Sequence, residues 1–187
     1  SGGTMKKIII LLFSVLSLLS LSVSVVIPQK LLLEDMKPVL QKAKTYEKFK
    51  VIYARKAVPG EIIKTYTADG YETQNSAGEG DFVVKNTTDA QEMYILTKDK
   101  FEKRYKYLKK SDSKWNIYQP TGKIKAVKAD SSLTKKLGVS GIDFQIETSW
   151  GEEMVVKKGD FLVSPLDYSE VYRIASKEFF ETYRLEK

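Results

Sequence analysis

The chain has 187 residues, 31 Lys and Arg against 24 Asp and Glu, a net charge of +7, and neither cysteine nor histidine. That removes the usual zinc ligands, a cysteine nucleophile, a Ser–His system and histidine acid–base catalysis. An oxygen-only cation site would need an Asp-rich loop, which the sequence lacks, so no metal or cofactor is expected.

Ser1-Gly2-Gly3-Thr4 reads as a cloning scar ahead of a natural start at Met5. Met5-Lys6-Lys7 is a short basic region, and residues 8–26 carry no charge. Residues 5–26 therefore read as a signal peptide, with Ser22 and Ser24 at the −3 and −1 cleavage positions, or as a membrane anchor just long enough to span a bilayer. In either case residues 27–187 are expected outside the cytoplasm, in the periplasm or at the cell surface. Without Lys6 and Lys7 the net charge falls from +7 to +5. Such a balance favours anionic partners, lipid headgroups or wall polymer, and export disfavours nucleic acid. A lysine-rich soluble surface is the plainer reading of the same charge. The oligomeric state is not legible.

Residues 27–48 are expected to form a linking helix. Leu32, Met36, Val39, Leu40, Ala43 and Tyr46 recur at helical spacing. Pro38 predicts an irregular piece before it and the helix proper after it. From Phe49 the period becomes two, so Phe49 to Ala54 reads as a strand. Ile62 to Thr67 and Tyr71 to Gln74 read as a hairpin about Asp69-Gly70. Phe82 to Lys85 and Glu92 to Leu96 read as strands, and Thr97 as the N-cap of a helix through Tyr105. Residues 109–114 read as a polar joint. Beyond it, Trp115 to Tyr118, Ile124 to Val127, Phe144 to Thr148, Glu153 to Val156, Phe161 to Ser164 and Val171 to Ile174 read as strands. Residues 129–141 read as an insertion or short helix, and Ser176 as the cap of a last helix through Arg184.

One segment occurs twice. Gly80-Asp81-Phe82, Glu92-Met93-Tyr94, Phe101 and Tyr105 return as Gly159-Asp160-Phe161, Glu170-Val171-Tyr172, Phe179 and Tyr183, with one residue fewer in the turn before the glutamate. The fold class expected is thus α+β, mostly β. It would be a tandem duplication of a small strand-rich unit, residues 49–110 and 115–187, each closed by a short helix. The repeated unit resembles the small PGDYG-type domain of bacterial and phage proteins. There a Gly-Asp-aromatic turn opens a strand, a Glu-aromatic strand pairs with it, and a Phe…Tyr helix closes the domain. Glu79 and Lys158 stand where that pattern has proline, and Phe82 and Phe161 where it has tyrosine. The resemblance implies no particular activity.

Gly before Asp suits a turn with positive φ, in which the carboxylate accepts nearby backbone amides. The sharper alternative pairs Asp81 with Glu92, or Asp160 with Glu170, as the carboxylates of a hydrolase. Both copies retain all four residues, which points to a requirement of the fold. Phe101 and Tyr105, like Phe179 and Tyr183, share a helix face and read as core. Residues 98–110 hold seven cations against Asp99 and Glu102, so Lys98, Lys100, Lys103, Arg104, Lys106 and Tyr107 are candidate ligand-binding residues. The leading expectation is an exported, non-enzymatic binding protein of two β-rich repeats. A carboxylate-dependent hydrolase and a basic envelope-surface structural protein remain open beside it.

Overall fold

A computed structural model describes residues 25–187 except Ile142. The basic region and apolar run assigned to the leader lie outside the described residues, save Val25 and Val26. Among the described residues, no helix is long and apolar enough to cross a membrane.

The fold is α+β and mostly strand. Two five-stranded sheets form its body. The first runs in the order β7 (Met93–Leu96), β6 (Phe82–Lys85), β3 (Ile52–Lys56), β9 (Asn116–Pro120), β8 (Tyr105–Lys110). The second runs β14 (Tyr172–Ile174), β13 (Phe161–Pro165), β10 (Lys123–Lys128), β2 (Thr45–Lys48), β15 (Tyr183–Leu185). Helix α2 (Lys98–Arg104) joins β7 to β8, and α4 (Ser176–Thr182) joins β14 to β15. Read from their edges, the sheets match strand for strand, except that one strand is exchanged. β2 leads directly into β3 but pairs with β10 and β15, while β9 leads into β10 but pairs with β3 and β8.

The two cores match side chain for side chain. In the first sheet Phe82 stacks on Phe101 at 4.0 Å, and Tyr118 of the exchanged β9 meets Phe101 edge-on at 4.8 Å. In the second, Phe161 stacks on Phe179 at 3.7 Å, and Tyr46 of the exchanged β2 meets Phe179 edge-on at 5.0 Å. Ile52 and Ala54 in one core correspond to Ile124 and Ala126 in the other. The small alanines sit in the same clusters as the stacked rings. Such offset and edge-on pairs add about 0.5–1.5 kcal/mol each beyond area burial.

The remaining elements differ between the sheets. Among the described residues, hairpin β4 (Ile62–Thr67) and β5 (Gly70–Ser76) pairs with no other strand, and Ile63 and Ala77 pack with Val83 and Ile95 of the first sheet. The second sheet is covered by α1 (Gln29–Lys42), by α3 (Ser131–Lys136), and by a small sheet of β1 (Val26–Ile27), β11 (Phe144–Glu147) and β12 (Glu153–Val156). β1 lies parallel to β11, and Gln29 reaches both the Glu147 and Val171 carbonyls with its side-chain amide.

Three local expectations are corrected. Helix α1 does not begin at Pro38 but runs through it. Leu32, Met36 and Leu40 on its inner face are fully buried, each contributing about 1.5–3 kcal/mol, which together outweigh an interior proline at roughly 3 kcal/mol. Pro38 and Glu34, whose carbonyl it leaves unbonded, are both exposed, so water can serve that carbonyl. Second, the helical spacing that carries on to Tyr46 ends early, because residues 45–48 are claimed by β10 and β15. The strand expected from Phe49 correspondingly begins at Ile52. Third, Ala175 rather than Ser176 is the N-cap of α4, and the chain turns to strand at Tyr183. The Ser176 amide instead donates to Asp160 Oδ1 at 3.1 Å.

Pro38→Ala restores one helical hydrogen bond on an exposed face. It should stabilise the protein by about 1–3 kcal/mol in urea denaturation. Phe179→Ala, at a site 1% exposed, should cost about 3–5 kcal/mol by the same measurement.

Candidate ligand-binding cavity

A cavity of about 830 Å³ lies where the two sheets meet, with walls drawn from both and from hairpin β4–β5. Four tyrosines line it: Tyr94 and Tyr105 from the first sheet, Tyr172 and Tyr183 at the matching places in the second. The Tyr94 and Tyr105 hydroxyls are 2.8 Å apart, and Tyr172 and Tyr183 are near enough to affect one another's ionisation. Burial raises the Tyr94 and Tyr183 hydroxyls well above their usual range and pushes Tyr172 up to about 12, so all three stay protonated at neutral pH.

Each tyrosine pair has a different cation. Lys48, 7% exposed, donates to Asn86 Oδ1 at 2.7 Å, Tyr105 OH at 2.8 Å and Tyr94 OH at 3.1 Å. Its three N–H groups are thus used on neutral oxygens. Arg104 stands near Tyr172 and Tyr183 and donates to Glu170 Oε1 at 2.9 Å.

The four carboxylates singled out by sequence are held separately. Asp81 accepts the Gly78 amide at 2.8 Å, and Asp160 the Lys157 amide at 2.8 Å, each three residues back. Gly80 and Gly159 between them have φ of +80° and +92°, a region costly for other residues. Glu92 is buried and accepts from Asn86 Nδ2 at 2.6 Å and from the Thr88 hydroxyl. Glu170 is buried and receives Lys100 Nζ at 2.8 Å, Arg104, and the Ser149 hydroxyl. Burial raises its pKa, but these donors outweigh burial and hold it below the usual value. In neither copy do the Asp and Glu share a hydrogen-bond partner of their own.

The basic run is divided. Lys100 and Arg104 turn inward to Glu170, and Lys98 pairs with Glu102 on the surface. Lys103 is exposed on α2 at the cavity rim. Lys106 and Tyr107 are exposed on β8, where Tyr107 meets Tyr118 edge-on at 5.8 Å. Only the first half of the run is helical, because Tyr105 to Lys110 pairs with β9.

Sequence reasoning missed one heavily bonded group. Arg173 has a side chain only 2% exposed and serves three carboxylates: Asp160 through Nε at 2.8 Å, Asp69 through Nη2 at 2.7 Å and Glu72 through Nη1 at 3.0 Å. Asp69 and Glu72 belong to the tip of hairpin β4–β5, so this cluster ties the hairpin to the second sheet. Lys157 also reaches Asp69 at 2.8 Å, the Ala68 amide donates to Glu178 Oε1 at 2.6 Å, and Trp150 Nε1 donates to the Gln74 carbonyl at 3.0 Å. Among the described residues no group of acids is arranged to hold a metal ion.

One guanidinium cannot balance three carboxylates equally. Burial opposes ionisation of Asp69, but Lys157, Thr67 and Arg173 prevail and hold it far below its usual value. Glu72 is the loser. Burial is the largest effect, Arg173 only partly offsets it, and the charges of Glu92 and Asp69 add to it, so its pKa rises to about 7. In the unfolded chain it titrates near 4.5. The folded state therefore binds the extra proton between those values, and stability from this group is lost as pH rises from about 4.5 to 7. Glu72→Gln should remove that loss. The melting-temperature difference between variant and wild type should grow over this interval and level off above it, as read by calorimetry at several pH values.

No family model, curated protein or solved structure matches the chain.

Proposed function

We propose that the chain is an exported binding protein, without enzymatic activity, whose ligand lodges in the cavity between its two sheets. The observation that carries this reading is the cavity itself. Its volume of about 830 Å³ falls within the roughly 300–1,000 Å³ common to small-molecule sites. Its lining combines aromatic and apolar side chains with a large set of charged and polar ones, which suits a polar ligand.

The internal comparison supports the same reading. A tandem duplication explains why the two sheets match, and side chains packed within each sheet are the same or nearly so in both. Apart from the shared Glu92 and Glu170, charged groups at the cavity are not. Lys48 stands where the other copy has Pro120, Arg173 where the first has Ile95, and Lys100 and Arg104 where the second has Glu178 and Thr182. An ancestral symmetric site has diverged into an asymmetric one, as a single asymmetric ligand requires. The apolar run at 8–26 supports an extracytoplasmic place, where a chain without cysteine holds together without disulfides. Wall polymer fragments are the favoured class of partner there.

Asn75 on β5 pairs with inward-facing Ile63 and lines the cavity. Asn75→Trp should fill the space. A thermal-shift screen of the full-length protein in mild detergent, against amino acids, short peptides, sugars and wall-polymer fragments, should yield a stabilising compound that no longer stabilises the Asn75→Trp variant. If no compound stabilises the wild type, or hits persist unchanged in the variant, the cavity is not a binding site.

A further inference from the structure

The two ends of the cavity are built on one plan, and one end lacks a part. At the first end, α2 crosses to the other copy. Its Lys100 and Arg104 neutralise buried Glu170, and Lys103 lies near Asp167 of the same loop. At the second end, α4 crosses in the same way to the loop of Glu92. Glu181 accepts the Asp89 amide at 2.9 Å, and Lys177 pairs with Asp89 at 2.9 Å. Contacts at the helix surface thus correspond. One turn further in they do not.

The position of Lys100 is taken in α4 by Glu178, and that of Arg104 by Thr182. Glu92, the twin of Glu170, therefore receives no cation from the crossing helix. Among the described residues it has only Asn86 and Thr88 of its own loop as donors. Glu178 is 3% exposed and lines the cavity; Oε1 accepts the Ala68 amide, and Oε2 has no partner. Thr73, 4% exposed and also on the cavity wall, has an unpartnered hydroxyl. A buried carboxylate oxygen without a donor is costly, and native interiors rarely leave one so.

The nearby cations do not fill the gap. Lys48 gives its three N–H groups to Asn86, Tyr94 and Tyr105, and Arg173 is shared by Asp69, Glu72 and Asp160. Glu72, raised first by burial, is raised further by the charge of Glu92, with Arg173 acting against both.

We infer that the Glu92–Glu178 end of the cavity binds a primary ammonium group of a small ligand, which takes the place that Lys100 Nζ holds against Glu170 at the other end. A primary ammonium offers three donors on a compact charge. The unpartnered acceptors here are a carboxylate oxygen and a hydroxyl. The inference rests on the cavity being a ligand site, and it narrows the ligand to amine-bearing molecules such as the free amino groups of peptides or amino sugars.

The test uses matched probes on the full-length protein in mild detergent: trialanine against N-acetyltrialanine, and glucosamine against N-acetylglucosamine, by titration calorimetry. At least one free amine should bind tenfold or more tightly than its acetylated partner. Glu178→Gln keeps an acceptor for the Ala68 amide and should weaken that amine at least tenfold. Glu178→Lys supplies the missing ammonium within the chain and should abolish its binding. Should either variant fold poorly by circular dichroism, Thr73→Val serves in its place and should weaken the amine several-fold. Equal binding of free and acetylated probes, or amine binding indifferent to these substitutions, overturns the inference. If neutral or anionic compounds bind in the cavity and amines do not, the inference fails while the binding reading stands. If nothing binds, both fail.

Discussion

The structure depends on an exchange of strands. β2 and β9 each lie in the sheet opposite to the strand they feed, and each brings the tyrosine that closes the other sheet's stacked phenylalanines. Neither aromatic cluster is complete within one copy of the repeat. The first copy needs Tyr118, which precedes the second copy's own strands, and the second needs Tyr46, which precedes the first's. Stability of the halves is coupled for that reason, and truncation between them would leave two cores open. The exchange also fixes the cavity. Because β2 runs directly into β3 and β9 into β10, the two sheets are tethered at two places, and the polar space between them keeps its walls in register.

Within that frame, buried charge sets what the cavity can accept. A buried ion pair contributes little to net stability against an apolar replacement, yet losing one partner costs about 3–5 kcal/mol. The Arg173 cluster and the Lys100–Arg104–Glu170 cluster are both of this kind. Each joins elements far apart in sequence, and each would be unfavourable if its geometry were loosened. Their contribution is to specify how the hairpin and the crossing helix dock. The result is a cavity in which Glu170 is met directly by two cations and Glu92 by neutral donors.

Much of the fold was legible because its signals are local. The Asp69-Gly70 hairpin, the period-two runs and Thr97 as a cap each depend on a few adjacent residues, and the helix α2 that follows Thr97 is present with the side-chain cap. The repeated spacing of Glu, Tyr, Phe and Tyr located the elements that carry the aromatic clusters. What escaped was set by distant partners. Residues 45–48 continue a helical pattern, and only pairing with β10 and β15 makes them a strand. Pro38 looked like a boundary because the burial of Leu32, Met36 and Leu40 on both sides of it was not yet known. The Arg173 cluster joins residues about a hundred positions apart, through a β-bulge and turn whose docking no local pattern reveals. A signal for the cavity was nonetheless present. Aligning the copies beyond the shared motif sets Lys100 against Glu178 and Ile95 against Arg173, and those mismatches mark the walls.

That pattern of agreement and mismatch carries a physical meaning beyond this site. Because the two sheets match strand for strand, a position at the cavity in one sheet has a counterpart in the other. A symmetric cavity presents the same charge at both ends and suits a ligand that is itself symmetric or very small. Replacing a lysine by a glutamate at one end converts a self-neutralised pair into an acceptor, while the other end keeps its internal bridge. The sheets tolerate the change because the aromatic clusters, not the ion pairs, hold them. Tyr94, Tyr105, Tyr172 and Tyr183 place four hydroxyls along the cavity, and burial keeps those of Tyr94, Tyr172 and Tyr183 protonated. The cavity thereby has two unlike ends, while the aromatic clusters of the two sheets stay alike.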